Sequence, residues 1–337
     1  MPDLSCIFYQ YYDIYKIMFN AITDVKGIKV GHASNFKALT GCTVILCENE
    51  AVGGIEIRGS ASGTRAIDSL FSGHLVNKIN AILLTGGSGF GLDATGGVMK
   101  YLEEKGKGFK TSVTKIPIVP SAVIYDLAIG DFKVRPDKVM GYQACKNATG
   151  GKFEEGSVGV GTGATVGKLL GIKHAMKGGL GTASIKLSDG IIVGALVVVN
   201  AFGDIIDVET GKIMAGARKS QDGKEFINSY EHIKKGLFKK NYPFQNTTLG
   251  VIATNALLSN AQATKVAQMA LNGFVKTISP THSLFDGDLI FVLSLGDLEA
   301  DINTLGALSE EAIIKSAKRA IIKADGFNII PAYKDLF

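Results

Sequence analysis

The sequence predicts an α/β protein in which one β-sheet packs on another and helices cover the outer faces. Three observations predict this. From Asn20 onward, short β-branched runs alternate with Gly-rich turns and amphipathic helical patterns. Residues 182–187 and 191–199 are separated by Ser188, Asp189 and Gly190, a hairpin signal with a Gly-containing loop. Strands and helices then follow in mixed order with hairpins, which suits a sheet-on-sheet core better than a purely parallel doubly wound sheet.

Taken in chain order, residues 1–19 are rich in aromatics (Phe8, Tyr9, Tyr11, Tyr12, Tyr15, Phe19) but interrupted by Asp13 and Lys16. No small-residue cleavage site follows, so the stretch reads as an N-terminal extension rather than a signal peptide, and Met18 could equally begin the folded part. Residues 81–85 read as a buried strand, followed by the turn 86–91 and a helix carrying Val98, Met99, Tyr101 and Leu102. Residues 115–119 are the next expected strand. Residues 204–246 are the most loop-like part, polar and basic, with Gly211, Gly216, Gly223, Gly236 and Pro243, and they give way to a strand at residues 247–254. A helix opens at Ser259 with Gln262 three residues on, a capping-box pattern, and is expected to run to about Lys276. Residues 289–294 are a strand. The last helix is expected to start at Ser309, with Glu310 and Glu311 in its first turn, to present Ile313, Ile314, Ala317, Ala320 and Ile321 on one face, and to stop at Gly326. Residues 20–337 are expected to form a single catalytic domain.

Composition narrows the function classes. The 337 residues are 46% hydrophobic and 20% charged, with 42 glycines against 7 prolines, which is globular rather than disordered or fibrous. The net charge of +5 is spread along the chain. Its one basic cluster, Lys234, Lys235, Lys239 and Lys240, has no interleaved aromatics for base stacking, so no nucleic-acid partner is expected. The longest apolar run, residues 191–199, is far short of the roughly 20 residues of a membrane helix, so no membrane span is expected. Cys6, Cys42, Cys47 and Cys145 form no CxxC pair and no disulfide-dense pattern, which fits a reducing, cytoplasmic setting.

Several motifs nearly match. Gly86-Gly87-Ser88-Gly89-Phe90 fails the GxSxG elbow at its last position. Gly89-Phe90-Gly91-Leu92-Asp93-Ala94 satisfies GxGxxA, but the strand after it brings no acidic residue for a ribose. Residues 161–168 resemble a phosphate loop with the wrong glycine spacing and Leu169 where a magnesium-holding hydroxyl belongs. His32, His74, His174, His232 and His282 share no ligand spacing, so neither a metal nor another cofactor is expected. Asp286 and Asp288 flank Gly287 just before the strand at 289–294, and residues two apart on an extended segment project to the same face, so both carboxylates can address one site.

Five segments together resemble the family of self-processing L-aminopeptidases and D-amidase/esterases, which includes the β-peptidyl aminopeptidases. They are Thr23-Asp24-Val25-Lys26-Gly27-Ile28-Lys29-Val30-Gly31-His32; Arg58-Gly59 with Gly63-Thr64-Arg65; Thr85-Gly86-Gly87-Ser88-Gly89-Phe90-Gly91-Leu92-Asp93; Lys177-Gly178-Gly179-Leu180-Gly181-Thr182-Ala183-Ser184; and Asn246-Thr247-Thr248-Leu249-Gly250-Val251-Ile252-Ala253-Thr254-Asn255. The resemblance spans residues 20 to about 296 and implies a layered α-β-β-α sandwich, shared with the ornithine acetyltransferases. It implies that the precursor cuts itself between Asn246 and Thr247, into residues 1–246 and 247–337, and that Thr247 becomes the N-terminal nucleophile. An α-amine titrates at about 7.7–8.0, so once unmasked it can accept a hydroxyl proton near neutrality.

The resemblance further implies that the Asn200 side-chain amide stabilises the oxyanion. Asp288 is expected to orient the Thr247 amine or a proton shuttle. Asp286 departs from the Ser-then-acidic pattern of members with a Ser nucleophile. Tyr125, in Val123-Ile124-Tyr125-Asp126, is the candidate substrate-binding side chain. The expected reaction is hydrolysis of N-terminal peptide or amide bonds through a Thr acyl-enzyme, by a homo-oligomer of cleaved units acting on small peptides or amides. Two other readings stand beside it. An ornithine-acetyltransferase-like acyltransferase would carry an Ala-Thr-Met-Leu cleavage sequence, which this chain lacks. A non-catalytic binding module would keep the fold and never cleave.

Overall fold

The computed structural model describes residues 18–236 and 246–337. The remaining residues, which include 1–17 of the expected extension and 237–245 of the basic loop before Thr247, lie outside it. The main sheet is organised by one long strand, β2 (Thr40–Ile57), whose two halves serve different neighbours. Its first half pairs antiparallel with β1 (Ile28–Asn35) on one side and β4 (Lys78–Thr85) on the other. After a register shift between Leu46 and Ala51, its second half pairs with β16 (Leu289–Leu298). Beyond β16 come β14 (Leu249–Ala256), β11 (Ile192–Val199) and β10 (Gly179–Lys186); beyond β4 come β7 (Ser121–Val123) and β3 (Thr64–Arg65), while β5 (Phe109–Lys110) with β6 (Lys115–Ile116), β8 (Thr165–Val166) with β9 (Met176–Lys177), and β12 (Asp204–Ile206) with β13 (Ile213–Ala215) and β15 (Ile278–Ser279) form small separate sheets.

Side-chain alternation sorts these strands into layers. Leu249, Val251 and Ala253 of β14, Leu289, Phe291 and Leu293 of β16, and Leu196 and Val198 of β11 point into one core. Ile45, Ile82 and Leu84 of β2 and β4 enter the same core from the opposite side, so sheet packs on sheet. The other faces of β11, β14 and β16 (Val197, Ile252, Ile290, Val292) pack under α4 (Asn260–Ala270), α5 (Asn272–Thr277) and α6 (Ile302–Ile322). Val44, Leu46, Ala81 and Leu83 pack under α1 (Ala94–Glu104) and α2 (Lys138–Lys146). Three cores between four layers make the α-β-β-α sandwich that the sequence predicts.

The hairpin at Ser188-Asp189-Gly190 forms with Lys186 opposite Ile192. Ser259 caps α4 with Gln262 in a capping box, but the helix breaks at Leu271, ahead of Asn272-Gly273, and resumes as α5. Elsewhere the chain departs from expectation. Only Lys115–Ile116 of the strand expected at 115–119 forms, as a ribbon with Phe109–Lys110, because Pro117 and Pro120 have no N–H to pair; Ser121–Val123 joins the main sheet instead. α6 starts at Ile302 rather than Ser309, since Asp301 caps it by accepting the Thr304 N–H at 2.8 Å. The stretch 204–236 also holds short strands Asp204–Ile206 and Ile213–Ala215 and a helix, α3 (Ser229–Lys234). Among the described residues no helix is long and apolar enough to cross a membrane.

Candidate active site

Sheet register brings three chain ends together. β14 and β16 run parallel with Leu249 opposite Leu289, so the residues entering them, Thr247–Thr248 and Asp286–Asp288, arrive side by side. β11 runs antiparallel to β14 with Val198 opposite Leu249, which carries the strand's exit residue, Asn200, to Thr247. The Thr247 N–H donates to the Asn200 carbonyl at 3.1 Å, and the Thr248 N–H donates to Asp288 Oδ1 at 2.6 Å. All five residues that the sequence singles out here, Asn200, Asn246, Thr247, Asp286 and Asp288, are buried.

The peptide between Asn246 and Thr247 is held on both sides. Its carbonyl oxygen, on Asn246, accepts from the Gly287 N–H at 2.7 Å and from the Thr247 hydroxyl at 2.6 Å. The Asn246 N–H donates to the Phe285 carbonyl at 2.8 Å. Gly287 has to be glycine: a Cβ there would lie 2.7 Å from both Thr247 Oγ1 and the Ala61 carbonyl oxygen.

The two aspartates have different surroundings. Asp288 Oδ2 accepts from the Thr281 hydroxyl (3.2 Å), the His282 N–H (3.2 Å) and His282 Nδ1 (3.0 Å). Asp286 accepts from the Phe202 N–H (3.2 Å), the Ser283 N–H (3.1 Å) and the Ser283 hydroxyl (2.5 Å). Burial, and then the neighbouring charge of Asp288, push the Asp286 carboxyl up to about 6 despite those bonds.

Asn200 leads to a residue that sequence reasoning passed over. Its Oδ1 accepts from the Thr165 N–H at 3.0 Å and from Lys168 Nζ at 2.8 Å, and Lys168 Nζ also donates to the Asn200 carbonyl at 3.1 Å. Lys168 is fully enclosed; burial lowers its ammonium to about 7, an effect opposed chiefly by the charge of Asp286. A lysine near neutrality thus sits one carbonyl away from the Thr247 nitrogen. The only sequence signal was a lysine flanked by Val166, Gly167, Leu169 and Leu170, inside the segment dismissed as a failed phosphate loop. The Asn200 Nδ2 donates to the Tyr125 carbonyl at 3.2 Å, so in the uncut chain it is the Gly287 N–H that holds the Asn246 carbonyl. Tyr125 meets the site through this backbone oxygen and lines a small cavity with Ile129, Thr165, Lys168 and Ile172.

A second enclosed lysine, Lys177, donates to the carbonyls of Thr162 (2.7 Å) and Ala164 (2.9 Å), and burial lowers it too to about 7. Asp126, raised by burial, accepts from the Gly87 N–H and the Thr40 hydroxyl, both at 2.7 Å, which anchors the 123–126 segment behind Asn200. Among the described residues no three His, Cys, Asp or Glu side chains gather in a way that could hold a metal ion.

Comparison with known proteins bears on the family and the fold. An uncharacterised aminopeptidase of Mycobacterium leprae is 37% identical, with 94% of each chain covered. A 6-aminohexanoate-oligomer endohydrolase of Paenarthrobacter ureafaciens is 31% identical over 86% of this chain and 82% of its own. The crystal structure of an L-aminopeptidase D-Ala-esterase/amidase from Ochrobactrum anthropi, a serine aminopeptidase with a variant of the Ntn-hydrolase fold, superimposes with a TM-score of 0.70 at 18% identity, over 91% of this chain and 87% of that one. The model of peptidase family S58 matches residues 20–326, and the chain belongs to that family as a self-cleaving, N-terminal-nucleophile hydrolase of the aminopeptidase and amidase type.

Proposed function

We propose that Thr247 is the nucleophile and that the first bond it breaks is its own link to Asn246. The observation that carries this reading is convergence on one oxygen: the Thr247 hydroxyl and the Gly287 N–H both reach the Asn246 carbonyl, at 2.6 and 2.7 Å. Attack of Oγ1 on the Asn246 carbonyl carbon forms a C–O bond and moves an electron pair onto that oxygen, where the Gly287 N–H is already aimed. A preorganised donor of this kind contributes about 3 kcal/mol of transition-state stabilisation. Collapse breaks the C–N bond, and the hydroxyl proton ends on the Thr247 nitrogen. Lys168, bonded to the carbonyl that holds that nitrogen, is the side chain suited to carry the proton. Water then hydrolyses the ester, leaving an Asn246 carboxylate and a Thr247 with free amine and free hydroxyl.

In the cleaved enzyme the α-amine takes over as base for the same hydroxyl, and an external amide carbonyl occupies the position vacated by Asn246. Asn200 Nδ2 supplies the second oxyanion donor once it leaves the Tyr125 carbonyl, and Asp288 holds the backbone of the nucleophile segment through Thr248. Substrates are amides whose acyl group carries a terminal amine. This is supported by the aminopeptidase and 6-aminohexanoate-oligomer activities in the names of the relatives. We also read the working form as a homo-oligomer of cleaved chains in the cytoplasm, in line with exposed Phe36, Phe132 and Ile329 and with the free thiols of Cys42, Cys47 and Cys145.

Intact-mass analysis of purified protein, followed by a panel of p-nitroanilides of α-, β- and ω-amino acids, tests the reading. Wild type should resolve into residues 1–246 and 247–337, and Thr247→Ala should remain one chain of 35.6 kDa with no turnover. An active wild type that is a single continuous chain, or a Thr247→Ala protein that hydrolyses the panel, defeats it.

A further inference from the structure

His282 lies outside every role assigned above, yet its contacts converge on the site. Its ring Nδ1 and its own backbone N–H both reach one oxygen of Asp288, Oδ2, at 3.0 and 3.2 Å, and the Thr281 hydroxyl joins them at 3.2 Å. The other oxygen, Oδ1, takes the Thr248 N–H at 2.6 Å. The carboxylate is therefore clamped from the Thr281–His282 side and presents Oδ1 to the nucleophile segment.

The backbone supports this assignment. His282 has φ +54°, in the left-handed region that side chains other than glycine rarely occupy, and that turn folds its amide and its imidazole onto the same oxygen. Oδ2 already accepts from the His282 N–H and the Thr281 hydroxyl, so Nδ1 is assigned as the donor in this pair. Nε2 is buried with no hydrogen-bond partner among the described residues, so the ring is held by its Nδ1 edge alone. The same loop returns to the cleavage point, where the Phe285 carbonyl takes the Asn246 N–H at 2.8 Å.

We propose that His282 is a positioning residue of this active site: its Nδ1–H fixes the Asp288 carboxylate so that Oδ1 keeps the Thr247–Thr248 backbone in the geometry of attack. The proposal rests on the reading of Thr247 as nucleophile. It acts through Asp288 and takes no part in bond making.

Asparagine and glutamine separate the two ring nitrogens, since an Asn amide reaches the position of Nδ1 and a Gln amide that of Nε2. The full chain is made as precursor and its self-cleavage half-time is followed by intact mass, beside its melting temperature. His282→Gln and His282→Phe should slow self-cleavage about 10- to 100-fold, the scale of a misplacement of up to 1 Å, whereas His282→Asn stays close to wild type. In an Asp288→Asn background, His282→Phe should add no further slowing, because the two act as one unit. A folded His282→Gln or His282→Phe that cleaves like wild type, an Asn variant as slow as the Gln variant, or independent, multiplicative effects with Asp288→Asn would each overturn the proposal. Thr247→Ala runs alongside: if it too still cleaves at residue 246, the nucleophile assignment falls, whereas an inert Thr247→Ala with any of those three outcomes removes His282 alone.

Discussion

Gly287→Ala isolates the contact on which the proposed self-cleavage depends. Gly287 is not among the positive-φ glycines, so alanine introduces a steric change with no backbone strain of its own. The added Cβ would sit 2.7 Å from Thr247 Oγ1, 2.7 Å from the Ala61 carbonyl oxygen and 2.9 Å from Ser62 Cα. Ordinary carbon–oxygen contact begins at about 3.5 Å, so the nucleophile and the 286–288 segment have to separate by about 0.8 Å. That shift stretches the 2.7 Å bond from the Gly287 N–H to the Asn246 carbonyl as well as moving the hydroxyl. A misplacement near 1 Å costs about 100-fold in rate, or about 2.7 kcal/mol of barrier. The assay is cell-free synthesis of the full chain, with samples withdrawn over time for intact mass, and a parallel thermal melt to verify folding. A Gly287→Ala chain that cleaves as fast as wild type and melts with it would refute the assignment of this amide as the oxyanion donor.

Two further substitutions probe the charges around the same peptide. Asp286 lies at about 6 because of burial and Asp288, so if its ionised form is needed, self-cleavage slows as pH falls through about 6, and Asp286→Asn removes that limb. Its native carboxyl binds a proton more tightly than the unfolded one, so its stabilising effect is present below pH 3.8 and lost as pH rises through about 6; the melting-temperature difference between Asp286→Asn and wild type should therefore move in the mutant's favour from pH 4 to pH 8. Lys168→Met should slow self-cleavage by about 100-fold or more if the amine carries the proton, while its melting temperature stays level or rises, because an enclosed amine has been exchanged for an apolar side chain of similar length. Equal losses of cleavage and stability in Lys168→Met would mark the lysine as a structural prop instead.

The site was legible in proportion to how much of it is side chain in a recognisable segment. Thr247 and Asn200 were named through the resemblance to the family, and the Asp286–Asp288 pair through its two-residue spacing ahead of a strand. Their assembly, however, depends on the parallel register of β14 with β16, which only the folded sheet supplies. Lys168 was missed because its lowered ammonium comes from burial, a tertiary property with no motif. His282 was missed because ligand spacing was the wrong test for a residue whose partner is a carboxylate. Gly287 contributes a backbone N–H, and such groups leave no trace beyond a glycine between two aspartates. In the fold, the last helix runs through Gly306, ahead of the start expected at Ser309, because that glycine gives close approach to Met269 of α4, a packing role that outweighs its weak helical preference.

The position of β14 has a consequence for the cleaved protein's lifetime. Strands β14 and β16 both come from the segment after residue 246, yet they sit between β11 and β2, which come from the segment before it. A nicked molecule therefore holds together as a shuffled deck does, with the smaller fragment's strands inserted mid-sheet. Once such a molecule melts, its fragments must meet by diffusion and re-intercalate, a second-order event in dilute solution, whereas the uncut chain folds alone. Thermal loss of the processed enzyme should consequently be irreversible at concentrations where the Thr247→Ala chain still refolds.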